Sequence, residues 1–119
     1  TLEREPVAMP RGRPRLYAID TPSDDAARMQ RDLSERLKRA RLYEPEKRPF
    51  WPHLTAARVK PEKRGKRRAA RVERPPRPLP AALEREFGAV RLSLYRSRLR
   101  PQGADYVSLS NVELPPQGG

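Results

Sequence analysis

Proline is the feature that most constrains how this chain can fold. Fifteen of the 119 residues are proline, and each one fixes its own φ angle and lacks a backbone hydrogen-bond donor. Because helix interiors and central strands exclude such a residue, regular elements must lie between the prolines. We therefore interpret most of the prolines as element boundaries, and the cluster at residues 75–80 as a stiff, extended segment.

The composition leaves little material for a core and narrows the class of protein. Only 35% of the residues are hydrophobic and 35% are charged, which is typical of a small marginal domain or of a basic disordered tail. The absence of cysteine excludes disulfides and thiolate sites, and no apolar run approaches the ~20 residues of a membrane span. The first residues contain no charged-then-apolar signal segment. We expect a cytoplasmic protein without a membrane partner.

The positive charge is concentrated in one stretch. The formal net charge is +12, and residues 60–74 contain eight basic and two acidic side chains, so this run carries half of the excess. The charge suits a polyanion such as RNA, and a solvated surface is the alternative. We expect residues 60–80 to form a flexible, basic, proline-rich loop that contacts an RNA backbone or stays in solvent.

One long helix and four strands are predicted. The helix extends from Pro22 to Arg41, with Thr21 as N-cap and Pro22 in the first helical position, where no donor is lost. Its apolar residues recur every three or four positions: Ala26, Met29, Leu33, Leu37 and Ala40. Alternating side chains predict strands at residues 15–20, 53–59, 89–97 and 104–114, with a turn at 101–103. A helical turn over Ala81–Phe87 is expected to end at Gly88.

This order of elements indicates an α+β fold. Strands joined by short connections, together with one long helix, predict an antiparallel sheet with the helix packed on one face. We expect a single domain over residues 1–119.

The single histidine, His53, is the first candidate for chemistry. Thr55 lies two residues further along the predicted strand, so the imidazole and the hydroxyl share a face. Together they could hold one phosphate, with the imidazole transferring a proton and the hydroxyl donating to a non-bridging oxygen. In a regular strand Arg58 would project from the opposite face. A structural or surface histidine is the alternative interpretation.

Residues 48–60 read Arg-Pro-Phe-Trp-Pro-His-Leu-Thr-Ala-Ala-Arg-Val-Lys. This block resembles the second signature of the 2H phosphoesterases, in the branch of RNA 2′,3′-cyclic phosphodiesterases that are also called 2′-5′ RNA ligases. Further along, Val90–Ser97 and Gly103–Tyr106 are similar to the closing strands of that family. The resemblance extends over residues 14–114 and concerns the C-terminal half of a bilobal enzyme.

The resemblance implies acid–base chemistry without a metal or another cofactor. In members of that family, two pseudo-symmetric halves each contribute one His-x-Thr to a shared cleft. One histidine acts as general base on water, and the other acts as general acid on the leaving ribose oxygen. His53 and Thr55 match one such pair, and Arg58 would support the bound substrate. The resemblance does not say which of the two proton transfers falls to His53.

Three further residues are candidate substrate contacts. Trp51 could stack a base, although packing against the helix is the alternative. Tyr95 and Ser97 lie on the polar face of the strongest predicted strand and could line the cleft, although half-exposed strands commonly carry such residues.

The sequence contains only one His-x-Thr, so the second must come from elsewhere. The chain could be a fragment, one of two chains that form the enzyme together, or a half that self-associates. The expected substrate is RNA with a 2′,3′-cyclic phosphate end, which is hydrolysed to a 2′-phosphomonoester or joined in the related 2′-5′ ligation. The alternative function is a small basic RNA-binding module without catalytic activity.

Overall fold

The structure is a computed structural model and describes residues 1–116. The chain divides into two compact units, Thr1–Glu86 and Phe87–Gly119. All strand pairs in residues 1–116 are antiparallel and the first unit contains the long helix, so the fold class is α+β as predicted. The expectation of one sheet is wrong: the described strands form a three-stranded and a two-stranded sheet. The last two strands pair with each other through a tight turn, which satisfies their facing backbone groups locally.

The first unit is built around one central strand. Its sheet has the order β1 (Val7–Met9), β2 (Leu16–Asp20) and β3 (His53–Arg58). Among residues 1–116 the buried residues are Tyr17, Ala18 and Ile19 of β2 together with Pro14 and Ala69. β1 has three residues between two prolines, too few to display an alternation, so the sequence does not predict it.

The helix α1 spans Asp24–Arg39 and is shorter at both ends than predicted. Its N-cap is Ser23, whose hydroxyl accepts the backbone N–H of Ala26 at 3.1 Å. Thr21 instead donates its backbone N–H to the carbonyl of Pro52 at 3.0 Å. Thr21 therefore extends the pairing beyond β2, and the prediction that it caps the helix is wrong.

The C-terminal end of α1 is a Schellman motif. Arg41 adopts the left-handed conformation with φ 58°, which cannot continue a helix. The Leu42 N–H donates to the Leu37 carbonyl at 3.0 Å, and the Arg41 N–H donates to the Lys38 carbonyl at 2.9 Å. These two bonds satisfy carbonyl groups that the end of the helix would otherwise leave free.

The apolar stripe of α1 is only partly covered. No residue of the helix is buried, and Leu33 from the predicted stripe exposes 42% of its surface. The half-buried positions mix apolar and polar side chains: Ala26, Ala27, Met29, Gln30, Ser34 and Leu37. The covered face of the helix therefore carries hydrogen-bonding groups as well as apolar ones.

The basic run of residues 60–74 contains a small hairpin. Pro61 and Ala69 form an antiparallel bridge, and the Lys66 N–H donates to the Lys63 carbonyl across a turn at 3.0 Å. Gly65 in that turn has φ 76°, the conformation that a type II turn requires at its third residue. Arg13 anchors the hairpin, since its Nε donates to the Ala69 carbonyl at 2.7 Å. We define the residues Lys63–Lys66 as the basic turn; the flexibility of the segment stays a prediction.

The second unit is a hairpin of β4 (Arg91–Arg100) and β5 (Gly103–Glu113). Both strands and the turn between them are predicted by the sequence. No residue of either strand is buried.

The sequence predicts a helical turn over Ala81–Phe87. The structure has a 3₁₀ helix of only three residues there, Ala81–Leu83, in the first unit. It has no side-chain cap, and helical segments this short are marginal in water.

Among residues 1–116, no helix combines the length and the apolar character needed to cross a bilayer.

Candidate functional site

The candidate site lies on β3, an edge strand of the three-stranded sheet. His53 pairs with Asp20 and Thr55 pairs with Ala18, two positions of β2 that alternate by two residues. His53 and Thr55 therefore share one face of the sheet, as predicted. Both are exposed, so a ligand can reach the imidazole and the hydroxyl in this unit.

A one-residue bulge brings Arg58 to the same face. The register between β2 and β3 shifts so that Ala18 pairs with Thr55 but Tyr17 pairs with Ala57, which leaves Ala56 without a partner. Arg58 then pairs with Leu16, which lies on the same face of β2 as Ala18. Because an extra residue reverses the alternation beyond it, Arg58 lies on the face of Thr55. The expectation that Arg58 projects from the opposite face is wrong for this reason.

A backbone hydrogen bond fixes the imidazole of His53. Its Nδ1 lies 2.7 Å from the carbonyl oxygen of Trp51. A carbonyl oxygen can only accept, so Nδ1 carries the proton and donates it in this bond. The neutral ring then has its lone pair on Nε2, the nitrogen that is left for a substrate or a water molecule.

The indole of Trp51 supports the same imidazole. The two rings stack with centroids 4.2 Å apart and planes at 20°. The indole Nε1–H donates to Oδ1 of Asp20 at 3.1 Å. Trp51 thus holds His53 through its carbonyl and its ring, while Asp20 holds Trp51. The prediction that Trp51 stacks a base stays a prediction, and the structure gives this side chain a positioning role.

Asp20 contacts the candidate site and is not identified by the sequence. It lies at the end of β2, and a lone carboxylate at a strand end carries no local signal. Its contact with Trp51 forms across 31 residues of chain. Only the pairing of β2 with β3 brings the two side chains together.

The charge of Arg58 is not balanced by a neighbouring carboxylate. Among residues 1–116 the guanidinium of Arg58 forms no salt bridge, whereas several other arginines do, such as Arg48 with Glu46 at 3.2 Å. An exposed guanidinium of this kind can bind a phosphate by two parallel hydrogen bonds.

Tyr95 and Ser97, the remaining candidate contacts, lie in the second unit. Both are in β4 and alternate by two residues, so they share one face of the hairpin as predicted. The Tyr95 ring meets the Tyr106 ring edge to face, with centroids 6.4 Å apart. On that face Ser93 also donates to Asn111 Oδ1 at 2.7 Å. The hairpin therefore presents a polar, aromatic surface that is exposed in this unit.

Residues 1–116 contain no group of three or more histidine, cysteine or carboxylate side chains that could hold a metal ion. Comparisons of the chain with protein-family models, with curated proteins and with solved structures return no match.

Proposed function

We propose that this chain supplies one half of the catalytic centre of an RNA 2′,3′-cyclic phosphodiesterase. The proposal extends to the related 2′-5′ ligation and to the finer fold expectation, a C-terminal lobe of the 2H phosphoesterase type. The predicted His-x-Thr motif and its similarity to that family motivate it.

The observation that carries the proposal is the hydrogen bond from His53 Nδ1 to the Trp51 carbonyl. An imidazole used for proton transfer must be held in one tautomer, with the second nitrogen left for the reacting group. The backbone carbonyl imposes that tautomer, and the stacked indole limits rotation of the ring.

The reaction can be written with His53 in either of two roles. When neutral, Nε2 takes a proton from water as the water oxygen forms a bond to phosphorus. When protonated, Nε2 gives its proton to the ribose O3′ as the bond from O3′ to phosphorus breaks. The two transfers together leave a 2′-phosphomonoester and a free 3′-hydroxyl, and the role that His53 does not take needs a second group from another lobe or chain.

Thr55 and Arg58 support the phosphate in this scheme. The hydroxyl of Thr55 donates to a non-bridging oxygen, and the guanidinium of Arg58 balances the negative charge that grows in the transition state. The bulge at Ala56 aligns Arg58 with Thr55 on one face, which supports a common task for these residues.

The test is release of 2′-phosphate from a dinucleotide that ends in a 2′,3′-cyclic phosphate. The chain is assayed alone and mixed with a separate N-terminal lobe that carries its own His-x-Thr. With the lobe present, we expect His53→Ala to lower kcat by about 10²–10⁴-fold, and Thr55→Val by about 10²-fold. Thr21→Val is the matched control, because among residues 1–116 Thr21 is bonded to the segment that leads into β3 by its backbone N–H, which the substitution keeps.

Two results would contradict the proposal. Binding without turnover under every pairing would favour an RNA-binding module instead. Turnover that survives His53→Ala would remove His53 from the site. The pH profile of kcat/KM then assigns the role, since a base loses activity on the acidic side and an acid on the alkaline side.

The second candidate function, RNA binding without chemistry, is favoured by the basic turn. Lys63, Arg64 and Lys66 are exposed there, and no salt bridge within residues 1–116 involves them. Such side chains bind a phosphate backbone without reading its sequence.

A further inference from the structure

A cleft opens beside His53 within the first unit. It has a volume of about 800 Å³ and lies between α1 and the segment of residues 43–53, with Met9 of β1 also lining it. Small-molecule sites commonly have volumes of about 300–1,000 Å³. His53 and Trp51 are both part of its wall, so the cleft reaches the candidate catalytic imidazole.

One side of the cleft is aromatic. Tyr43 and Phe50 line it, with 38% and 46% of their surfaces exposed. Exposed aromatic rings in a concave surface suit a flat, partly apolar ligand. The Trp51 ring is already engaged by His53, which leaves Tyr43 and Phe50 as the rings available for stacking.

The side formed by α1 carries hydrogen-bonding groups. Gln30, Ser34 and Glu35 line the cleft, and the Gln30 amide donates to the Ser34 hydroxyl at 3.0 Å. The amide oxygen of Gln30 and the carboxylate of Glu35 are acceptors, while the second amide proton of Gln30 is a donor. A ligand with donors and acceptors along one edge of a planar ring fits this side.

The formal charges of the cleft cancel and do not favour an anion inside it. The lining includes two arginines, Arg31 and Arg48, and two glutamates, Glu35 and Glu46, and Arg48 is paired with Glu46 at 3.2 Å. Arg58, by contrast, lacks a carboxylate partner within residues 1–116 and is not part of the cleft lining. The anionic part of a ligand is therefore expected near His53 and Arg58, with its uncharged planar part in the cleft.

We propose that this cleft binds the nucleobase of a terminal nucleotide whose phosphate contacts His53, Thr55 and Arg58. This inference rests on the proposed function, because it places the phosphate at the catalytic residues. It adds a binding site for the base, with Tyr43 and Phe50 as stacking residues. RNA ends are then bound through the terminal base as well as through the phosphate.

The fluorescence of Trp51 reports on the cleft directly, since Trp51 is the single tryptophan of the chain and lines this cleft. The intact protein is titrated with three probes: adenosine, adenosine 2′-monophosphate and inorganic phosphate. We expect the nucleotide to bind more tightly than inorganic phosphate, and adenosine alone to change the fluorescence.

Variants separate the base site from the phosphate site. Tyr43→Leu and Phe50→Ala should each weaken binding of adenosine and of the nucleotide by about 10-fold, and leave inorganic phosphate unaffected. Phe87→Ala is the matched control, because Phe87 is an exposed phenylalanine that does not line the cleft. Far-UV circular dichroism checks that each variant stays folded.

The outcomes distinguish the two proposals. If adenosine binds with the expected sensitivity but His53→Ala leaves nucleotide affinity and turnover unchanged, the base site stands and the proposed function fails. If the nucleotide binds no better than inorganic phosphate, or if Tyr43→Leu and Phe50→Ala change nothing, the base site is wrong while the proposed function stands. If adenosine produces no change at millimolar concentration, the base site is likewise wrong.

Discussion

The central strand of the first unit and the hairpin of the second unit are both predicted as strands by the sequence, but their surroundings differ. β2 pairs on both edges, and its residues Tyr17, Ala18 and Ile19 are buried. Within residues 1–116, β4 and β5 pair only with each other, and apolar side chains such as Leu94 and Val112 are more than half exposed. The alternation of side chains predicts a strand in both regions, whereas burial depends on what covers the strand.

This contrast indicates which strands contribute most to the free energy of unfolding. The hairpin buries no residue of its strands. A two-stranded hairpin of this kind is only marginally stable in water by itself. The buried side chains of β2 remove apolar surface from water at about 25 cal/mol per Å². We therefore expect changes in β2 to affect folding and changes in the hairpin to be tolerated.

The largest expected effect is the loss of the Ile19 side chain. Ile19→Ala should lower the free energy of unfolding by about 2–5 kcal/mol, because the side chain is 3% exposed and its removal leaves a cavity. Leu94→Ala, at 62% exposure, should change it by no more than about 0.5 kcal/mol. Urea unfolding followed by circular dichroism measures both. Equal effects would show that the hairpin is as well covered as β2.

The next largest effect concerns Arg58, which the bulge in β3 brings to the face of Thr55. Arg58→Ala should weaken binding of a 2′-phosphorylated nucleotide by about 10-fold or more, the value of one charge-assisted hydrogen bond of about 1.5–3 kcal/mol. Arg98→Ala in the hairpin is the matched control. Isothermal titration calorimetry measures the affinities, and a larger loss for Arg98→Ala would move the phosphate contact to the second unit.

A smaller effect is expected at Trp51. Trp51→Phe keeps a ring beside His53 but removes the N–H that Asp20 accepts, which should cost about 1 kcal/mol of stability. Asp20→Asn keeps an acceptor oxygen and should cost less. Thermal unfolding measures both variants, and the nuclear magnetic resonance signals of the His53 ring report whether its orientation changes. An unchanged ring signal in Trp51→Phe would contradict the positioning role of the Asp20 contact.

The smallest effect separates two basic surfaces. Arg64→Ala, in the basic turn, should reduce the slope of log affinity against log salt for single-stranded RNA by about 0.7, at nearly constant protein stability. Arg96→Ala in β4 should leave the slope unchanged if the basic turn is the RNA contact. Filter binding at several salt concentrations measures the slopes. The opposite ranking would place the RNA on the hairpin.

The local patterns of the sequence predict most of the helices and strands. They predict none of the features that depend on contacts between distant segments. Period-two and period-three-to-four alternation predicts β2, β3, the interior of α1 and the hairpin, because those signals arise within a few residues. The choice of Ser23 over Thr21 as N-cap depends on Pro52. The separation into two sheets likewise depends on which strands meet, and no single segment contains that information.

The candidate site shows the same limit. The sequence predicts that His53 and Thr55 share a face, and it identifies Arg58 as a candidate contact. It misplaces Arg58, because a bulge is defined by the pairing between two strands and not by the residues of one strand. The role of Asp20 is missed because its hydrogen bond to Trp51 exists only after β2 and β3 have paired.

The bulge in β3 frees position 56 from the pairing that constrains its neighbours. Ala56 has no partner in β2, so many side chains can replace it without disturbing the ladder. Deleting it would restore strict alternation and leave Arg58 two residues after Thr55, so the two side chains would still share a face. Chains that lack a residue at this point in an alignment can therefore keep the three-residue arrangement, provided that Arg58 keeps its pairing with Leu16.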